Sequence, residues 1–125
     1  MIYCFSGLDA ALTLTLEPYC NAKENETVNL TCITDVSNRP IDWYYNPASS
    51  NDRSTDVTIY AFNKMHLKWN KNNIEVTNGG SSYVLTIHNI TKADEGIYIC
   101  FDHASFGERS YTNVTVLGKF FHNVK

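Results

Sequence analysis

An all-β fold is what this sequence predicts, and three observations predict it. Apolar residues alternate with polar ones in short runs, the period of a strand with one buried face. Clusters of turn residues break those runs at intervals of about ten residues. No stretch repeats its apolar residues at the helical period of 3.6. The expected total is about seven to nine strands.

The elements follow in order. Leu12, Leu14 and Leu16 share one face of a first strand that Pro18 ends, and Val28, Leu30 and Cys32 share one face of a second. Ile41, Trp43 and Tyr45 do so in a third. After a polar loop from Asn46 to Asp56, the run Val57 to Phe62 reads as a further strand. Asn78-Gly79-Gly80 is the clearest turn signal, separating a short strand around Ile74-Glu75-Val76 from one in which Tyr83, Leu85 and Ile87 face the same way. Ile97 to Asp102 and Tyr111 to Leu117 close as the last hairpin. Residues 1–10 make a poor secretory signal, having no basic start before Ile2-Tyr3 and an apolar run broken by Ser6 and Gly7. They read as a lead-in or signal remnant, residues 11–118 as one folded domain and residues 119–125 as a tail or linker.

Composition narrows the function. With 43% apolar and 13% aromatic residues among 125, the chain builds one full core and is not a disordered or low-complexity segment. A net charge of -3 supplies no basic stripe to neutralise phosphates, which excludes nucleic acid and polybasic membrane contact. No apolar run approaches the roughly 20 residues that span a bilayer, so no membrane insertion is expected within this chain. His66, His88, His103 and His122 are scattered without metal-ligand spacing, and no nucleophile elbow or phosphate-binding glycine loop is present. Neither an enzyme nor a cofactor is expected.

Cysteines and sequons point to an oxidising compartment. Cys4, Cys20, Cys32 and Cys100 form an even set without the C-x-x-C spacing of zinc sites, which favours disulfides. Asn25-Glu26-Thr27, Asn29-Leu30-Thr31, Asn89-Ile90-Thr91 and Asn113-Val114-Thr115 are glycosylation acceptors by sequence. The expected localisation is extracellular, either secreted or as the ectodomain of an anchored protein.

Cys32, ten intervening residues, Trp43, Leu85-Thr86-Ile87 and Asp94-Glu95-Gly96-Ile97-Tyr98-Ile99-Cys100 together resemble the immunoglobulin superfamily. The match covers most of the chain. It implies a two-sheet Greek-key sandwich, a Cys32–Cys100 bond between the sheets with Trp43 packed on it, and a Tyr98 hydroxyl bonded to upstream backbone. The 41 residues between Trp43 and Leu85 exceed what a constant-type domain uses and imply the variable type, with additional C′ and C″ strands. Phe106-Gly107-Glu108-Arg109 departs from the F-G-x-G bulge by which antigen-receptor domains pair. Family members commonly bridge the aspartate equivalent to Asp94 with an arginine, and Lys71 is the nearest basic residue here. Cys4 and Cys20 are extra to the family pattern. They bond to each other, or Cys20 bonds outside the domain after loss of a leader or to a cysteine elsewhere in a longer parent chain.

The resemblance implies recognition of a protein ligand through the outer face of the G, F, C and C′ strands. Parity places Asp42, Tyr44, Ile99, Phe101 and Tyr111 on that face, with Tyr60 on the adjoining strand and Phe106 at the tip of the last hairpin. Exposed Tyr44, Ile99 and Phe101 side by side are the expected anchors. Asn113 shares the parity of Tyr111, which brings a glycan acceptor to the same face. Trp69 is expected beneath the C″ edge. The richness in Asn, Ile, Lys and Tyr suits an AT-rich genome, and so a viral mimic of an immune receptor or an invertebrate surface protein. The competing readings are a structural spacer and a domain that binds a second copy of itself.

Overall fold

The computed structural model describes residues 2–8, 14–16, 19–34, 40–47, 56–66, 72–79, 82–102 and 108–118. These form eleven strand segments: β1 (Ile2–Leu8), β2 (Leu14–Leu16), β3 (Tyr19–Lys23), β4 (Val28–Thr34), β5 (Ile41–Asn46), β6 (Val57–Ala61), β7 (Lys64–Met65), β8 (Ile74–Gly79), β9 (Ser82–Ile87), β10 (Gly96–Asp102) and β11 (Glu108–Leu117). One sheet runs β2-β1-β4-β9-β8 and the other β3-β11-β10-β5-β6-β7. The chain crosses between sheets from β2 to β3, from β3 to β4, from β4 to β5, from β7 to β8 and from β9 to β10, the wiring of a Greek-key sandwich. Eleven segments exceed the seven to nine strands expected, because β1 and β3 were not anticipated. β2 falls on the expected first strand, and β1, which pairs with it and runs parallel beside β4, lies where a lead-in was expected.

Alternation builds the core. β9 alternates half-buried and buried positions, with Tyr83, Leu85 and Ile87 inside, and β4 contributes Val28, Leu30 and Cys32. Facing them are Ile41, Trp43 and Tyr45 of β5, Tyr98 and Cys100 of β10, and Val114 and Val116 of β11. β3 was not foreseen. Its inward residues are the small Cys20 and Ala22, which lie in register against Val114 and Val116, so that this parallel strand closes one edge of the core without bulky side chains. The Asn78-Gly79-Gly80 signal also resolves differently, because β8 continues through Asn78 and Gly79 to pair with Tyr83 and Ser82.

Cys32 and Cys100 form the disulfide between the sheets, their Cα atoms 6.5 Å apart, and Trp43 is the cross-strand neighbour of Cys100. Cys20 is also disulfide-bonded, whereas the side chain of Cys4, its expected partner, lies outside the described residues. The entry into β10 is a single 3-10 turn, Lys92–Asp94. Buried Asp94 accepts from the Thr91 amide at 2.9 Å and from the Asn73 side-chain amide at 3.3 Å. Asn73 therefore serves a position where a basic residue was sought, and Lys71 lies outside the described residues. The Tyr98 hydroxyl donates to the Asp94 carbonyl at 2.6 Å, as the resemblance implied. Burial, followed by the phenol of Tyr45 and the charge of Asp94, raises its pKa and keeps it a donor. Replacing Tyr98 by Phe leaves the Asp94 carbonyl without this donor and is expected to cost about 1–2 kcal/mol, read as a lower urea midpoint at unchanged slope.

Candidate functional site

The outer face of the β11-β10-β5-β6 sheet is assembled in rows by strand register. Tyr111, Ile99, Tyr44 and Thr58 form one row, and Arg109, Phe101 and Asp42 the next. A further row, Tyr19, Asn113, Ile97 and Asn46, lies towards the start of β10. The structure thus brings together four of the expected residues, Tyr44, Ile99, Phe101 and Tyr111, on one face.

Their exposure differs from expectation. Ile99 is only 4% exposed and stands outside the main core cluster, so it is buried on the outer face itself. Its flanking side chains explain this: Tyr44 and Tyr111 lie on either side in register, and Phe101 stands two residues along the same strand. Asp42 is buried as well, its Oδ2 accepting the Tyr44 hydroxyl at 2.9 Å. Tyr44 and Phe101 are half-buried and meet edge to face at 6.2 Å, and the Arg109 guanidinium lies 5.1 Å over the Phe101 ring. Tyr111 is 46% exposed. The patch is a pre-packed aromatic cluster around an aliphatic floor rather than a set of separately exposed side chains.

Tyr60 departs from the expected face. The pairing passes from Trp43 with Tyr60 to Tyr44 with Thr58, so β6 spends an extra residue, Ile59, at a bulge. Tyr60 thereby falls in line with inward-pointing Trp43 and packs against the core, while Ile59 is fully buried. Phe106 lies outside the described residues, as do His103 and Trp69.

A hollow of about 310 Å³ opens in the patch, lined by Tyr44, Asp56, Thr58, Ile99, Phe101 and Arg109. It has an apolar floor, aromatic walls, and one cation and one carboxylate among its lining residues. Tyr44 does not ionise near neutrality, because burial, then the Asp42 hydrogen bond and charge, then Asp56, push its pKa up to about 12. Among the described residues no group of three or more His, Cys, Asp or Glu is placed to hold a metal ion.

The sequons divide by position. Asn25 and Asn89 are exposed, both with positive φ, in turns joined by the Asn25 amide donating to the Ile90 carbonyl at 2.8 Å. Asn29 is half-buried on β4, where its Oδ1 accepts the Thr86 hydroxyl at 2.7 Å. Asn113 does share the outer face with Tyr111, one row nearer the start of β10 and beside Tyr19.

Two exposed aromatics escaped sequence reasoning. Tyr19 is 68% exposed on β3, and Phe62 is 79% exposed at the β6–β7 turn. Phe62 had been read as the end of a strand. The only available signal was weak, since Phe62-Asn63 lacks the glycine that usually marks a two-residue hairpin loop.

A search of curated proteins finds no match to the chain. The immunoglobulin V-set domain family model does match, over residues 15–117, which is well over half the chain. Two sheets joined by Cys32–Cys100, the Tyr98 corner and this match agree, and the chain belongs to the immunoglobulin V-set family.

Proposed function

We propose that the domain is an extracellular recognition module that binds a protein ligand through the outer face of β11, β10, β5 and β6. V-set domains are in general binding modules rather than catalysts, and an intradomain disulfide suits an extracellular setting. The finer reading rests on one observation: Tyr44, Phe101 and Tyr111 are gathered around buried Ile99, with Arg109 held over Phe101. Half-buried aromatics already ordered against one another lose little side-chain freedom on binding, which is how anchor residues contribute affinity. Arg109 and Asp56 beside the hollow supply orientation. Glycans on Asn25 or Asn89 would stand on turns away from these rows, whereas one on Asn113 would border them.

Tetramers of the glycosylated domain, applied to a panel of cells and purified ectodomains that includes the domain itself, test this reading. Phe101→Glu is expected to weaken staining by about 30-fold or more while far-ultraviolet circular dichroism and Tm stay close to wild type. Equal staining by a folded Phe101→Glu domain would move the site off this face. Absence of staining anywhere would favour a spacer.

A further inference from the structure

Tyr19 opens β3 with most of its surface in water, and the parallel pairing of β3 with β11 sets it directly beside Asn113. Burial alternates along β3, so Tyr19, Asn21 and Lys23 face outward while Cys20 and Ala22 face the core. On β11 the same alternation buries Val114 and Val116 and leaves Asn113 and Thr115 half-buried on the outer face. Adjacent strands lie about 4.8 Å apart, which brings paired side chains on one face within reach of each other. An aromatic ring and the first and third residues of the sequon Asn113-Val114-Thr115 are thereby gathered on one solvent-facing surface.

The neighbour says what the ring would bind. A sugar attached to the Asn113 amide leaves the sheet between Tyr19 on one side and Ile97 on the other, the two residues in register with it. Ile97 is half-buried, whereas Tyr19 stands open to solvent. The face of a tyrosine ring carries the negative potential of its π electrons, and one face of a pyranose presents C–H bonds of the opposite polarity. Stacking them removes apolar area from water on both sides, while the hydroxyls of sugar and tyrosine remain hydrated at the rims. The modification leaves the core untouched, because the residue of the sequon that faces inward is Val114.

We propose that Asn113 carries an N-linked glycan whose first N-acetylglucosamine stacks on the Tyr19 ring. In forming it, Asn113 Nδ2 attacks the anomeric carbon of a lipid pyrophosphate-linked oligosaccharide. The C–N bond forms as the C–O bond to pyrophosphate breaks, and one amide proton passes to a base of the transferring enzyme. The proposal rests on the recognition reading for its extracellular setting, where the chain meets that enzyme, and not on any ligand. It also gives the glycan a direction. Tyr19 lies on the β3 side of Asn113, at the margin of the sheet, whereas Ile99, Phe101 and Tyr44 lie on the β10 and β5 side. A glycan bedded on Tyr19 leans over that margin and leaves the aromatic patch open, even with its acceptor on the same face.

The test expresses the chain through the secretory pathway of mammalian cells and reads each sequon by glycopeptide mass spectrometry. Asn113 is expected to be occupied. Urea unfolding of wild type, Tyr19→Ala, Asn113→Gln and the double variant then forms a thermodynamic cycle. Both side chains lie outside the core, so each variant is expected to fold. Tyr19→Ala is expected to lower the folding equilibrium constant about fivefold more when Asn113 carries its glycan than in the Asn113→Gln background. Tyr19→Phe keeps the ring and is expected to keep that coupling. Occupied Asn25 and Asn89 with an empty Asn113 overturns the proposal and leaves the extracellular reading standing. An occupied Asn113 coupled to Tyr19 by less than about twofold overturns the stack. A chain with no sequon occupied overturns the proposal together with the extracellular setting on which it rests.

Discussion

Gly96→Ala is expected to destabilise the domain by about 3–4 kcal/mol, a large part of the 5–15 kcal/mol that holds a typical domain together. Gly96 opens β10 at φ 147°, a region that L side chains rarely adopt. A Cβ there would stand 2.6 Å from the Asn46 carbonyl oxygen and 2.7 Å from Cε1 of Tyr45. Neither neighbour has room to retreat. Asn46 is fixed by its pairing with Ile97, and the Tyr45 ring lies 4.9 Å from that of Tyr98 with its hydroxyl bonded to the Glu95 carbonyl. Burial, with the charges of Asp94 and Glu95, raises the pKa of Tyr45 and keeps that hydroxyl protonated. Urea titration of wild type and variant measures the loss, and a midpoint within error of wild type would show that β5 yields where the packing says it does not.

Removing the disulfide should cost as much. Cys32→Ala combined with Cys100→Val is expected to lower stability by about 4 kcal/mol, from the freedom returned to a loop of 68 residues in the unfolded chain. Both sulfurs are buried, at 0% and 1% residue exposure, so reductant reaches them only through opening of the sandwich. Dithiothreitol should therefore leave the native wild type intact for long periods and, once the protein has been unfolded, bring its refolding stability to or below that of the double variant, because the bond at Cys20 is reduced as well. A double variant with the wild-type urea midpoint would mean that Trp43, Leu85 and Tyr98 hold the sheets together without the bond.

Much of this was legible in the sequence because strands buried on one face announce themselves by alternation. β4 and β9 did so, and Cys32, Trp43, Tyr98 and Cys100 carried the family resemblance that located the disulfide and the tyrosine corner. Illegible features have a common cause: they depend on one residue's relation to a distant neighbour. The Ile59 bulge turns Tyr60 inward, and nothing within β6 marks it. Small residues let β3 lie against β11, but Cys20 and Ala22 make too faint an apolar pattern to be read alone. Parity put Ile99 and Asp42 on the outer face correctly and gave no measure of how fully their neighbours would cover them. Asn73, not a basic residue, reaches Asp94 from a turn whose position follows from the pairing of β8 with β9.

The register of β11 also sets a direction for the whole domain. Its ten residues run about 33 Å, from Glu108, beside the Phe101 and Asp42 row, down to Leu117, whose carbonyl receives the Glu24 amide at the base. Phe62 borders a hollow with Ile41 and Asp42, at the Glu108 end, and Gly118 leaves from the other. The Phe101 row and Gly118 therefore lie towards opposite ends of β11. Any support attached after Gly118 holds the aromatic face about one strand length away from itself, and a glycan on the turns of Asn25 or Asn89 would sit at the supporting pole. On the recognition reading proposed above, the domain would then set the distance between that face and whatever follows Gly118.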